Sequence, residues 1–366
     1  MFRLKSLILF TTLLFPFFLY SQQDKNIFDF SMVDSIARTV KYKKDIYLLT
    51  KELTNPYSDQ LYKVRAIFVW ITDNISYNYK YYNKYYNKGK EPKTPKCKTG
   101  MNCEQLLIDW ENNYVRKVLK KKKGVCDGYS KLFKKMCDIA GIKSEIVSGY
   151  TKTKLNQIGN TGSVNHSWNV VWIDSAYYLL DATWAAGSCI EDGNTGELLD
   201  FKKDFDNYYW FTPFNDFARN HYPQNGKWVF EPNYTKEKFA ANPYYAPYTL
   251  SQLKLLTPLS GIINAKKGDT IHFAFDYKDY IGYLQVNSNV FKNPEIWKWE
   301  KISKRRKIWK EDTTALKKQK YISFKKNGNR YEFDYIVTDN SLYYLDILFD
   351  YDRVMRFKVN IVKQDL

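Results

Sequence analysis

Cys126 follows Gly124-Val125 and opens an amphipathic segment in which Cys126, Tyr129, Phe133, Met136, Cys137 and Ala140 recur at helical spacing. Gly141 is a natural stop for that helix. A thiol at a helix start faces the unsatisfied N–H groups of the first turn, a position where cysteines become nucleophiles. Lys121 to Lys123 add positive potential just upstream, and Asp127 works against it. A cysteine nucleophile needs a base within hydrogen-bond reach and a third group to orient that base. The chain has three histidines. His272 lies in an alternating run and reads as a strand residue without a special role, and His221 lies in a His-Tyr-Pro turn and reads as structural. His166 falls on the second strand after the Cys126 helix, and it is the candidate base.

A turn supplies the partner. Val164–Ile173 (VNHSWNVVWI) and Ala176–Trp184 (AYYLLDATW) read as two strands joined by the two-residue turn Asp174-Ser175. That register sets His166 opposite Thr183, with Asp181 diagonally placed on the same face. Diagonal neighbours lie about 7–8 Å apart, close enough for two side chains to meet. An aspartate inside the apolar run LLDATW is costly unless paired, and His166 is its natural partner.

Those residues need a scaffold. Residues 22–77 read as mostly helical, with Ser58 as an N-cap and Leu61, Val64, Ile67, Phe68 and Ile71 at helical spacing behind it. The Tyr-, Lys- and Asn-rich stretch 78–100 reads as a loop, and a further helix is expected from Glu104 to Lys121. After the Cys126 helix come a strand at Lys143–Thr151, a polar loop at Lys154–Gly162, and the two strands above. From about Leu256 onward, short alternating runs (DTIHFAFDY, RYEFDYIV, LYYLDILFD, VMRFKVNIV) are separated by turn signals, the pattern of an antiparallel sandwich. The expected organisation is a leader at 1–21, a catalytic domain at 22–235 and a β domain at 236–366.

Composition sets the setting. At 366 residues and 44% hydrophobic, the chain is long enough for two packed domains. Arg3 and Lys5 precede the apolar run Leu7–Tyr20, the arrangement of a signal peptide with cleavage after Ser21. No later segment is apolar enough to cross a membrane. The expected product is exported, periplasmic or extracellular. Loss of Arg3 and Lys5 takes the net charge from +18 to +16. Lys120–Lys123 and KISKRRKIWK (Lys301–Lys310) carry much of this charge, and they suit acidic envelope polymers. No DNA- or RNA-binding motif accompanies them, which argues against a specific nucleic-acid partner. Five cysteines leave at least one free thiol in an oxidising compartment. Cys126 and Cys137 lie about 16 Å apart along one helix, too far to pair. Cys97 and Cys103 are near enough in sequence to close a small loop, and pairing and two free thiols are both open. Cys137 reads as a core residue and Cys189 is unassigned. No metal or cofactor site is expected: close cysteine pairs of the zinc type and calcium-loop patterns are both missing from the sequence.

GVCDGYSKLF, GIKSEIVSGY and NHSWNVVWIDSAYYLLDATW together resemble the core of the transglutaminase-like superfamily, and within it the kyphoscoliosis-peptidase-like bacterial branch. YYWFTPFNDFARNHYP (Tyr208–Pro223) resembles a downstream element of that branch. The resemblance covers roughly Ser58 to Trp228. It implies an α+β, papain-like core in which the cysteine helix packs on an antiparallel sheet, here followed by the all-β sandwich-like domain. It also implies Cys126 as nucleophile, His166 as base and then acid, and Asp181 as orienter. The reaction expected is acyl transfer at a peptide or glutamine-type amide through a thioester, hydrolysis ahead of cross-linking. The oxyanion would meet the Cys126 N–H and an upstream side chain, with Asn102, Gln105, Trp110 and Tyr77 as equal candidates. The alternative is a catalytically silent scaffold of the cell envelope.

Overall fold

The computed structural model describes residues 28–89, 94–193, 195–303 and 306–362. The leader expected at 1–21 lies outside the described residues. Among those described, no helix is long and apolar enough to cross a membrane.

The helix Gln60–Asn74 starts one residue later than expected. Asp59, not Ser58, caps it, accepting a hydrogen bond from the Leu61 N–H. Its predicted stripe of Leu61, Val64, Ile67, Phe68 and Ile71 is buried, and Ala66, Val69 and Trp70 are buried as well. A helix covered nearly all round lies in the centre of its layer. Its buried Arg65 is held bidentately by Asp34, with Nε–Oδ1 and Nη2–Oδ2 both at 2.7 Å. Stretch 78–100, expected to be a loop, opens with a helix. Asn78 caps a short helix, Tyr79–Lys84, by accepting from the Tyr81 N–H. Tyr81–Tyr85 and Tyr82–Tyr86 then pack as i, i+4 ring pairs at 4.6 and 6.0 Å. Beyond it, Asn102 caps the helix Cys103–Lys121 and Cys97 is disulfide-bonded to Cys103.

The cysteine helix, Cys126–Ile139, buries Tyr129, Leu132, Phe133, Met136 and Cys137. Burial of each large apolar side chain contributes about 1.5–3 kcal/mol. The Tyr129 hydroxyl donates to the Ile75 carbonyl at 2.7 Å, tying this helix to the end of the central one. It packs on a four-stranded antiparallel sheet made of β1 (Ser144–Thr151), β2 (His166–Ile173), β3 (Ala176–Leu180) and β4 (His221–Pro223), in the order β3-β2-β1-β4. The β2–β3 hairpin has the anticipated register, Asn169 facing Leu180 and Ile173 facing Ala176. Asp174 and Ser175 both take positive φ, 46° and 65°, as a tight turn of the right twist requires. β3 ends at Leu180, sooner than expected, because Asp181 caps a short helix, Ala182–Ala185. Gly149 on β1 is required by packing: a Cβ there would collide with the Tyr222 carbonyl and the Trp168 ring.

The C-terminal part is a sandwich. One sheet runs Leu253–Thr257, Thr270–Tyr277, Arg330–Ile336, Lys325–Asn327. The other runs Ile262–Ala265, Asp352–Ile361, Tyr344–Phe349, Leu284–Ser288, and Tyr244–Tyr245 also pairs with Asp352–Ile361. The inner faces meet through aromatic rings: Phe273–Phe357 at 5.2 Å and Phe275–Phe349 at 5.1 Å. The pairing is antiparallel except between Ile262–Ala265 and Asp352–Ile361, which are parallel and far apart in sequence. His272 is an exposed strand residue paired with Asp334 across the strands, Nδ1–Oδ1 2.7 Å. In the sheet interior, Asp346 is buried and gripped by Arg356 (Nε–Oδ1 2.5 Å, Nη2–Oδ2 2.7 Å) and Arg353 (Nε–Oδ2 2.9 Å).

Hydrogen bonds from buried and part-buried side chains join the halves. Lys152, buried at the end of β1, donates from Nζ to the carbonyls of Ala240 and Asn242 at 2.8 Å each. Without an acidic partner, burial alone lowers its pKa to about 7. Arg219 Nη1 donates to the Leu253 carbonyl across the same junction, and within the C-terminal part Tyr248 donates to the Arg353 carbonyl at 3.1 Å.

Candidate active site

Cys126 is the first residue of its helix, and the N-cap, Val125, offers no side-chain cap. No side chain claims the first-turn N–H groups, and the Gly128 N–H turns to the Val125 carbonyl at 2.7 Å. His166 begins β2 and is 8% exposed, as is Cys126. Its Nε2 lies 2.7 Å from Asp181 Oδ2, and the neighbouring Cys126 acts on the same ring to raise its pKa. With Nε2 committed to Asp181, Nδ1 is the nitrogen left for sulfur.

Asp181 is fully buried and its carboxylate is saturated. Oδ1 accepts the Thr183 and Trp184 N–H groups at 2.8 and 3.2 Å, and Oδ2 takes the two histidines. The diagonal-strand argument thus has the right partner for a different local reason. Asp181 stands at the end of β3 and aims its carboxylate by capping a helix, while Thr183, the residue expected opposite His166, has turned into that helix. His166 instead faces Gly149 of β1.

The second histidine is His221, which the His-Tyr-Pro reading set aside. It lies on β4, fully buried, with Nε2 3.2 Å from Asp181 Oδ2 and its ring stacked on Phe217 at 4.2 Å. β4 reaches β1 from far along the chain, so no local spacing pointed to it; the buried aspartate, with acceptor capacity for more than one donor, was the only signal.

Burial disfavours charge at all three groups, and the outcome differs at each. For Asp181 burial raises the pKa, but attraction and hydrogen bonds from His166 and then His221 outweigh it and hold the carboxyl below its usual range. For His166 burial lowers the pKa, and Asp181 together with Cys126 reverses this and raises it. For His221 burial wins and its pKa falls to about 4. One carboxylate therefore holds one imidazolium and one neutral imidazole near neutrality. Ligand atoms of His166, Asp181 and His221 all lie within 4.8 Å of one another, a spacing that could hold a metal ion. A cation there would have to break the histidine–aspartate bonds, since Oδ2 serves both rings.

His166 forms part of the wall of a cleft of about 510 Å³. Tyr77, Tyr82, Trp184 and Tyr209 give it an aromatic lining, and Pro247 and Tyr248 close it from the side of the sandwich. Of the four side chains considered for the oxyanion, Tyr77 alone lines this cleft. Burial, then the neighbouring Cys126, keep its phenol protonated and so able to donate. The other three are engaged elsewhere: Asn102 caps its helix, Gln105 donates to Asp109, and Trp110 stacks on Tyr114. The remaining free thiols differ in setting. Cys137 is a core residue whose pKa burial pushes far up, while Cys189 lines the cleft and is pushed up to about 12 by burial and Asp200.

Residues 48–182 match the family model of the Transglutaminase-like superfamily, a span that includes Cys126, His166 and Asp181 and stops before His221. Kyphoscoliosis peptidase of Mus musculus is 26% identical over 219 residues, 59% of this chain and 29% of that protein. Kyphoscoliosis peptidase of Homo sapiens is 27% identical over 219 residues, with the same coverage. The chain thus spans less than a third of the length of these curated relatives. A solved structure of a TGase is 16% identical and covers 51% of this chain and 40% of its own, with a TM-score of 0.27.

Proposed function

We propose that the transglutaminase-like domain at residues 48–182, completed by His221 and the cleft walls, is an exported cysteine-dependent enzyme that cleaves peptide or glutamine-type amides. The observation that carries this reading is the single carboxylate holding His166 by Nε2, which leaves the other nitrogen for a cysteine at a helix start beside an open cleft. Cys126 attacks the carbonyl carbon, and the oxyanion is met by the Cys126 N–H and the Tyr77 hydroxyl. His166 delivers its proton to the leaving amine, forming the thioester. Water, losing a proton to His166, then releases the acid. Asp181 keeps the imidazole oriented throughout.

Hydrolysis is favoured over cross-linking because the mouse and human relatives are named peptidases. Export is supported by the pattern of residues 1–21 and by the Cys97–Cys103 disulfide, a bond that persists in oxidising compartments. The test is release of peptides from casein, beside incorporation of dansylcadaverine into casein, for wild type and Cys126→Ala. Peptide release lost by about 10⁴-fold or more in the variant, with an unchanged circular dichroism spectrum, is the expected result. Amine incorporation without cleavage would make it a cross-linker. No product in either assay, with Cys126 no faster toward iodoacetamide than Cys189, would overturn the enzyme and leave the scaffold.

A further inference from the structure

The basic run around Lys301–Lys310 has no part in the mechanism, and its structure is unusual. Trp297–Lys301 and Lys307–Glu311 form a two-stranded sheet that belongs to neither sheet of the sandwich. Such an isolated ribbon is marginal in water, and this one exposes Trp297, Trp299 and Trp309 by 46%, 64% and 52%. Register sorts the side chains. Trp297 faces Glu311, Trp299 faces Trp309 and Lys301 faces Lys307, so these six share one side of the ribbon. The opposite side neutralises itself: Lys298 pairs with Asp312 at 2.8 Å and Lys310 with Glu300 at 2.9 Å. On the tryptophan side, Lys301 and Lys307 stand toward the turn, where Arg306 and Ile302 are also exposed.

We propose that the tryptophan side of this ribbon is a docking surface for an anionic phospholipid bilayer. Indole rings, apolar in body and polar at the N–H, settle at the depth of lipid headgroups. Lysines beside them gain about a fivefold attraction each from an anionic leaflet, and the chain is strongly basic as a whole. Two features favour lipid over a single-stranded polyanion. Trp299 and Trp309 pack on each other at 5.0 Å with a 56° tilt, which spends ring surface that a stacking platform would offer to bases. Ile302, 49% exposed, has no stacking face at all and gains only from leaving water.

The test uses the full chain with phosphatidylcholine vesicles, with and without phosphatidylglycerol. Hydrogen exchange by mass spectrometry reports on 297–311 separately from every other segment, including residues 1–21. The expected result is slowed exchange in the ribbon with phosphatidylglycerol vesicles, reversed by high salt. Trp299→Ser/Trp309→Ser should abolish that slowing, and Lys301→Ser/Lys307→Ser should weaken vesicle binding by about 30-fold. Alkylation of Cys126 at the wild-type rate shows that both variants remain folded. Absence of slowing in the ribbon, slowing that survives both variants, or slowing by polyuridylic acid or heparin but not by vesicles would each overturn the proposal.

Discussion

Two buried aspartates, one in each half of the molecule, are built alike and made of different parts. Asp181 and Asp346 each lie in a sheet-bound interior and each is held by two cationic or basic side chains. Around Asp346 the partners are arginines, whose guanidinium groups keep their protons at any ordinary pH. Around Asp181 they are histidines, one raised and one lowered in pKa by the same carboxylate and the same burial. The first arrangement can only hold the strands together; the second can exchange a proton with whatever enters the cleft. What separates a structural carboxylate from a chemical one here is the titratability of its partners, not its depth.

The sharpest break of the comparison is to neutralise each acid. Asp181→Asn should reduce the rate of amide cleavage by about 10⁴-fold while the protein stays folded, because an amide disturbs the imidazole's tautomer and orientation. Asp346→Asn should leave cleavage by folded protein near wild type and cost about 3 kcal/mol in chemical unfolding. That is the low end for a broken buried pair, because Arg353 is partly in water. If Asp346→Asn abolished cleavage in folded protein, or Asp181→Asn left it intact, the division of labour would fall.

A second separation is by pH. The folded value of Asp181 is lowered, so its contribution to stability is present above the ordinary 3.8 and is lost as pH falls through the folded value. The folded value of His166 is raised, so its contribution is complete below the ordinary 6.5 and is lost as pH rises through the folded value. The stability gap between wild type and Asp181→Asn should therefore be widest between about pH 4 and 6.5 and shrink on both sides. The gap between wild type and Asp346→Asn should show no alkaline shrinkage up to about pH 10, since arginine keeps its proton. Urea titrations across that range test both curves.

The smallest effect is expected at His221. Removing its hydrogen bond to Asp181 in His221→Phe should cost about 1–1.5 kcal/mol, roughly a tenfold fall in kcat with KM unchanged. Imidazole ¹⁵N shifts should show His221 neutral down to about pH 4, its folded value, while His166 stays protonated through neutrality. A protonated His221 at pH 7 would break the assignment of one charged and one neutral ring.

Local signals carried much of this. The Cys126 helix, the Asp174-Ser175 turn and the sandwich strands all appear where hydrophobic period and turn residues put them, because each depends on neighbours in sequence. The His166–Asp181 contact followed from that turn, although Asp181 reaches its place by capping Ala182–Ala185 rather than by continuing β3. Three things escaped, each set by residues distant in sequence or by packing. β4 brings His221 to Asp181 only through pairing with β1. The parallel pair Ile262–Ala265 with Asp352–Ile361 has no turn to announce it. The short helix Tyr79–Lys84 is held by tyrosine ring pairs in a stretch whose composition says loop. The choice of Tyr77 among four oxyanion candidates likewise waited on the cleft.

The tie between Tyr248 and Arg353 has a consequence in time. These residues are 105 positions apart, and Tyr248 is part of the cleft wall. Tyr244–Tyr245, just before it, pairs with Met355 and Arg356. A ribosome finishes Cys126, His166 and Asp181 long before it makes that strand, so a nascent chain holds these three side chains while one side of the cleft is still unbuilt. Long-range pairing of this kind forms late and slowly, and the last wall to arrive serves as a clock: the finished cleft exists only after the sandwich does.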